Sequence, residues 1–242
     1  MLKALQNSLV SLVYPQNCRI CDSLVDNINF GVACSACWAE TRLFNGEEML
    51  CGKCGAFFNP SGVKTDIRCH QCDGHFYDKA RAAGIYEKAL AVSAIHLKSQ
   101  PYVPTDLKRA LLAAFDRSPF STTTVIIPVP LSRMRQGERG FNQAEILAAL
   151  VSKHTSVKLD TASLARSKHT PMHRIAMDKK ARELTVANAF EVTRPNLIAD
   201  QKILLVDDIF TSGATASACA RILKKNGASE VNVLTLARAI MH

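Results

Sequence analysis

The chain has 242 residues, 48% of them hydrophobic, enough for one large domain or two modest ones with a real core. No run approaches 18 apolar residues, which excludes a transmembrane helix. The net charge of +9 is uneven: up to residue 80, 7 Lys/Arg face 8 Asp/Glu, and from residue 81 on, 23 face 13. A basic second part suits a polyphosphate ligand, nucleic acid, or both.

The opening residues, MLKALQNSLVSLVYP, resemble a signal peptide only superficially. Gln6, Asn7, Ser8 and Ser11 interrupt the apolar stretch, and no small-residue cleavage site precedes Pro15. An amphipathic helix docked on the protein is expected there, with a cytoplasmic location for the chain. Eight of the nine cysteines follow as four C-x-x-C pairs, which in a reducing compartment read as metal ligands. Each such turn puts two thiolates on one cation, and two turns complete a tetrahedral site. Two structural zinc sites are therefore expected: Cys18, Cys21, Cys34 and Cys37; and Cys51, Cys54, Cys69 and Cys72. An interleaved pairing satisfies the same spacing, and redox dithiols are the competing reading. Closed sites of four cysteines leave no position for substrate. This region has little apolar periodicity, so metal binding would supply most of its folding energy. The domain boundaries expected are 1–78 for the starting helix and ribbon, and 79–242 for the rest.

Beyond residue 78, strands and helices alternate. Arg81–Tyr86 reads as a strand and Lys88–Lys98 as a helix. Pro101 and Pro104 mark a break. Thr105 or Asp106 can cap the next helix, Leu107–Phe115. Val125–Pro130 is a strand. Leu131–Gly140 then carries Arg133, Arg135 and Arg139, and with Gly137 and Gly140 it reads as a mobile arginine loop. Guanidinium forks match phosphate oxygens bidentately, so this loop suits a pyrophosphate. A solvated basic loop is the bland alternative. Phe141–Lys153 is an amphipathic helix. Leu164–Arg182 is basic again and reads as an exposed arm or hood over a site. Phe190–Val192 and Val231–Leu236 read as strands. This alternation predicts an α/β fold with a parallel sheet, right-handed crossovers, and ligands at the carboxyl ends of the strands.

The most informative stretch is Lys202–Thr215, KILLVDDIFTSGAT. An apolar run, Ile203–Val206, reads as a buried strand with Asp207 and Asp208 at its end. The loop Thr211-Ser212-Gly213-Ala214-Thr215 leads into a helix that Gly227 closes. A strand running into a helix start exposes backbone N–H groups beside the positive end of the helix dipole, a place that binds phosphate. Carboxylates beside it accept hydrogen bonds from hydroxyls and can help hold a divalent cation. The matching ligand is a sugar phosphate. Neither a P-loop nor a dinucleotide fingerprint is present. Cys219, in the helix, is expected to pack in the core.

These residues closely resemble the phosphoribosyl pyrophosphate (PRPP) motif of type I phosphoribosyltransferases. The resemblance implies that Asp207 and Asp208 bind the ribose 2′- and 3′-hydroxyls, and that Thr211, Ser212, Gly213, Ala214 and Thr215 wrap the 5′-phosphate. The whole chain resembles the ComF family of phosphoribosyltransferase-like proteins, which includes members labelled GntX. The matching features are the double zinc ribbon, His96-Leu97-Lys98, PVPLSRMRQGERGFNQAE at residues 128–145, VDDIFTSGAT, and Leu236-Ala237-Arg238. His173 stands where the family usually has glutamine, and the Arg182–Phe190 interval is two residues longer than usual. Membership implies a type I phosphoribosyltransferase-like sheet flanked by helices behind a small Cys₄ double ribbon. It implies PRPP with Mg²⁺ as ligand, with Leu131, Ser132, Arg133 and Arg135 on the pyrophosphate. It also implies a link to competence proteins and imported single-stranded DNA. Were the chain an active transferase on some acceptor, Asp207, Asp208, Arg133 and Arg139 would be its catalytic residues.

Overall fold

In the computed structural model, which describes residues 15–58, 68–167 and 189–240, five strands form one parallel sheet. These are β1 (Ala80–Ile85), β2 (Val125–Pro128), β3 (Lys158–Leu159), β6 (Lys202–Phe210) and β7 (Glu230–Arg238), in the order β1-β7-β6-β2-β3. Two short strands, β4 (Leu164–Arg166) and β5 (Phe190–Val192), pair antiparallel beside it. The helices are α1 (Ser35–Ala39), α2 (Lys88–His96), α3 (Thr105–Asp116), α4 (Arg133–Arg139), α5 (Gln143–Thr155) and α6 (Ala214–Lys225). The expected starting helix lies outside the described residues.

β6 is the axis of the sheet because it is the middle strand, with two strands on either side. Its partners run from Val125↔Ile203 to Pro128↔Val206 on β2, and from Lys202↔Glu230 to Phe210↔Arg238 on β7. A strand so placed is covered on both faces, which is why it reads as a continuous apolar run. Side chains alternate between the faces. Leu204 and Val206 join a core with Leu90 of α2, Leu107 and Leu111 of α3, and Leu147 and Val151 of α5. Ile203 and Leu205 join a second core with Ala220 and Leu223 of α6 and Phe190 of β5.

The cysteine ribbon is built into these two cores. Cys18, Cys34, Cys37 and Trp38 belong to the first, and Cys51, Cys54, Cys72 and Tyr77 to the second. The two clusters thus hold the sheet from opposite faces. The chain between them closes the outer edge of β1: Phe44 N donates to Ala83 O at 2.8 Å, and Ile85 N donates to Arg42 O at 3.0 Å. An edge strand left bare would be a template for pairing with another chain. Gly84 sits at the antiparallel bridge to Leu43. A methyl group there would strike the backbone oxygen of Arg42 and come within 2.8 Å of Leu90 Cδ1.

Three expectations are corrected. β6 does not end before the acidic pair but runs through it to Phe210, because β7 continues alongside it to Arg238. The arginine stretch is not a mobile loop but helix α4. Ser132 caps its start, its side chain accepting from Arg135 N at 3.4 Å, and Gly140 ends it in the left-handed conformation at φ 75°. The cap position of α3 is held by Pro104, with neither Thr105 nor Asp106 there. The Thr105 hydroxyl instead donates to Asn29 Oδ1 in the ribbon at 2.8 Å, and Asp106 pairs with Arg109 within the helix.

The fit at Gly84 gives a first test. Gly84→Ala is expected to destabilise the protein by about 1–3 kcal/mol, since the crowding atom is backbone and cannot turn away. Urea unfolding monitored by tryptophan fluorescence checks it, and an unchanged midpoint would contradict the close approach of ribbon and sheet.

Candidate functional site

The eight ribbon cysteines gather into two sets, Cys18, Cys21, Cys34 and Cys37, and Cys51, Cys54, Cys69 and Cys72, each with its sulfurs within 4.8 Å of one another. The pairing is sequential, not interleaved. Representative S···S separations are 3.6 Å for Cys21–Cys34, 3.7 Å for Cys18–Cys37, 3.3 Å for Cys54–Cys69 and 3.8 Å for Cys51–Cys72. A disulfide would bring two sulfurs to about 2.05 Å. A thiolate tetrahedron around zinc, with Zn–S near 2.3 Å, has edges of about 3.8 Å. The donor sets fit two structural zinc ions. Around the second, the Arg238 guanidinium donates to Cys54 O at 2.5 Å and Cys54 Sγ at 3.4 Å, and Cys69 N donates to Cys51 Sγ at 3.4 Å. Such outer contacts orient the ligands and offset thiolate charge.

The second constellation sits at the carboxyl end of β6. Alternation sends Asp207 toward α6 and Asp208 toward α5, as with the apolar residues before them. Asp208, 7% exposed, accepts from Gln143 Nε2 at 3.3 Å and pairs with Lys98 Nζ at 3.7 Å. Gln143 Oε1 in turn accepts from Arg139 Nη1 at 2.9 Å. A continuous polar chain therefore runs from α4 through α5 to the strand end and on to the segment after α2. Asp207 is half-buried and lies within electrostatic reach of Arg166 on β4 and of Cys219, which is fully buried in α6.

Each aspartate also curls back onto the chain. Asp207 Oδ1 accepts from Asp208 N, and Asp208 Oδ1 accepts from Ile209 N, both at 2.8 Å. The two acids interact strongly. Burial, and then the charge of Asp208, push the Asp207 carboxyl well above the usual carboxylate range. Burial followed by Asp207 pushes the Cys219 thiol up in the same way. Arg166 is lowered first by burial and then by Arg135 of α4, and its guanidinium lies over the Phe190 ring at 5.3 Å.

The turn after β6 is the stretch expected to take a phosphate. Thr211 is exposed, Ser212, Ala214 and Thr215 are half-buried, and Gly213 is buried. Gly213 holds the cap position of α6 with φ 80° and no side-chain cap. That positive φ strains any residue but glycine. A Cβ there would also come within 2.6 Å of the Phe210 ring. The hydroxyl of Ser212 accepts from Ala214 N at 3.4 Å.

The structure brings Asp208 and Arg139 together through Gln143, and Asp207 and Arg135 into one electrostatic neighbourhood through Arg166. Arg133 is exposed at the start of α4; Leu131 is half-buried and Ser132 is buried before it. Gln143 and Arg166 escaped sequence reasoning. Gln143 stood inside an amphipathic helix pattern, and Arg166 among many basic residues. The sequence carried Gln143 only within the matching stretch at residues 128–145, with no role attached to it. The hood residues, His173 included, lie outside the described residues beyond Ser167.

Residues 9–73 match the double zinc ribbon domain and residues 138–240 the phosphoribosyl transferase domain. Competence protein F of Haemophilus influenzae is 30% identical over 215 residues, spanning 85% of this chain and 90% of that protein. The DNA utilization protein YhgH of Escherichia coli K12 is 26% identical over 237 residues, 95% of this chain and 100% of that protein. Competence protein ComFC of Bacillus subtilis is 34% identical over 119 residues, 48% of this chain and 45% of that protein.

Two outcomes follow from the site. Native mass spectrometry is expected to find two zinc ions per chain and one in Cys51→Ser; two ions in that variant would contradict the assignment of its ligands. Because the Asp207 pKa is raised, the folded state binds that proton more tightly than the unfolded chain does, and stability falls as pH rises from about 3.9 through the folded value. Asp207→Asn removes the charge at every pH. Its melting temperature is expected above wild type at pH 8, by about 2–4 °C per kcal/mol relieved, with the gap closing toward pH 4. A lower melting temperature at pH 8 would show that Asp207 is stabilised as the anion.

Proposed function

The chain belongs to the ComF family, with its double zinc ribbon and phosphoribosyltransferase domain, and from that premise we propose that it binds PRPP with Mg²⁺ and serves the handling of incoming single-stranded DNA in the cytoplasm. The observation that carries the reading is the strand end itself. Two carboxylates held by Lys98, Gln143 and backbone amides stand just before a turn whose cap residue, Gly213, opens a helix without a side-chain cap of its own. Ionised carboxylates accept hydrogen bonds from vicinal hydroxyls, and an uncapped helix start accepts a phosphate. One molecule that offers both is a ribose 5-phosphate.

In this reading Asp207 and Asp208 hold the ribose 2′- and 3′-hydroxyls, and Thr211–Thr215 holds the 5′-phosphate. Leu131, Ser132, Arg133 and Arg135 lie along the pyrophosphate. The oxygen donors suit Mg²⁺, a hard cation that enters such sites on substrate phosphates and would neutralise part of their charge. The elevated proton affinity of Asp207 fits a site that is completed by its ligand, since hydroxyl donors and a cation both favour the ionised form. The competence and DNA-utilization names of the relatives, together with 11 Lys/Arg against 4 Asp/Glu over residues 131–182, support a single-stranded DNA role and DNA-uptake proteins as partners.

A second reading, transferase turnover, is favoured by α4. The helix carries three arginines within seven residues, Arg139 linked to Asp208 through Gln143, and displacement at the ribose C1 would leave pyrophosphate whose charge they could stabilise. Release of pyrophosphate from PRPP with nucleobases, ammonia or nucleic-acid ends tests this. Silence with all of them assigns the site to binding alone.

Calorimetry with PRPP and Mg²⁺ tests the principal reading. Wild type is expected to bind. Asp208→Asn is expected to bind about tenfold or more weakly, since it loses charge-assisted hydrogen bonds to the ligand. Equal affinity of variant and wild type, or no binding by wild type, would contradict the assignment.

A further inference from the structure

We infer that the second cysteine cluster braces the turn at Thr211–Thr215, with His75 as the positioning residue, so that the zinc ribbon sets the shape and affinity of the anion-binding site. This inference rests on the reading of that turn as a phosphate site. Nothing in the spacing of the cysteines suggests it, since the turn is more than 130 residues away in sequence.

Two routes of contact connect cluster and turn. The first starts at Cys72. His75 N donates to Cys72 O at 3.2 Å, so the three residues after this ligand fold back beneath it. The His75 ring then lies against Gly213: a Cβ on that glycine would sit 3.1 Å from His75 Cε1. The next residue donates from Phe76 N to Ser217 Oγ, in the first turn of α6, at 3.2 Å. His75 is fixed in turn. Its Nδ1 hydrogen-bonds the Tyr77 hydroxyl at 2.8 Å, and its carbonyl accepts from Lys53 Nζ at 2.7 Å, Lys53 lying inside the Cys51–Cys54 knuckle.

The second route starts at Cys54. Arg238 donates to the Cys54 carbonyl and sulfur, and its guanidinium lies 4.6 Å from the centre of the Phe210 ring. Tyr77 meets the same ring edge-on at 5.7 Å. Phe210 is the floor under Gly213. The glycine in its left-handed conformation therefore packs against both a ring that answers to Cys54 and a ring that answers to Cys72. Among the described residues, the first cluster has no such link: no hydrogen bond or ion pair joins residues 18–37 to residues 211–215, and its outward contacts go to α2 and α3, as in Thr41 Oγ1 accepting from Ala89 N at 3.1 Å.

A turn that must present several amides to one anion needs its backbone fixed before the ligand arrives, because every degree of freedom frozen on binding weakens it. Coil neighbours alone would leave such a turn at the low-stability end of the molecule. Packing against two rings tied to the second cluster supplies the missing rigidity.

The test uses full-length His75→Ala. Zinc content is expected to stay at two per chain, while the amides of residues 212–216 exchange with deuterium about tenfold faster in the unligated protein, and the rest of the sheet exchanges as before. Affinity for PRPP with Mg²⁺, measured by calorimetry, is expected to fall about tenfold. Unchanged exchange over residues 212–216 overturns the brace whatever the ligand does. Faster exchange with wild-type protein that binds no PRPP upholds the brace and removes the phosphate reading instead. Faster exchange with unchanged affinity also overturns the inference, since the turn would then be loosened without consequence.

Discussion

Two adjacent carboxylates stand at the carboxyl end of a strand that is hydrogen-bonded on both sides, and most of the site follows from keeping them there. Like charges this close repel, and burial raises the cost of both. Strand geometry relieves part of it by sending the side chains to opposite faces. Each face then supplies its own partner: Lys98 and Gln143 for Asp208, and Arg166 within electrostatic reach of Asp207. The balance is incomplete on the α6 side, where Asp207 retains a high proton affinity. Hydroxyl donors or a cation brought to it would both favour the ionised form.

The same strand explains why the ribbon is part of the architecture and not an appendage. A parallel sheet needs both faces and its edges covered. Here helices cover most of each face, and a cysteine cluster completes each one. The segment between the clusters closes the β1 edge through Phe44, Arg42 and Gly84. Metal binding in such modules is folding free energy, so part of the stability of the sheet is tied to the metal. Arg238 shows the coupling within one side chain: it ends β7, stacks on the last residue of β6 and donates to a zinc-ligand residue.

Much of this was legible in the residues. The run Ile203–Val206, the acidic pair and the glycine turn are local in sequence, and each has a physical reading independent of the rest. Cysteine spacing gave the two ligand sets, though only the fold decided between sequential and interleaved pairing. Part of what escaped depends on partners distant in sequence. The extension of β6 through Asp207 and Asp208 is set by the length of β7. Helix α4 was hidden because Gly137 and Gly140 read as hinges, when Gly140 is the helix terminator and Ser132 the cap. The role of Gln143 appears only once Arg139 and Asp208 are placed around it, and that of His75 only once Gly213 is placed above it.

A crystal structure of the protein grown with PRPP and Mg²⁺ tests the central claim most directly. The account predicts ribose hydroxyls within hydrogen-bonding distance of Asp207 and Asp208, and the 5′-phosphate on the amides of residues 212–215. A ligand bound with its phosphate elsewhere, or with neither aspartate touching the sugar, would contradict it.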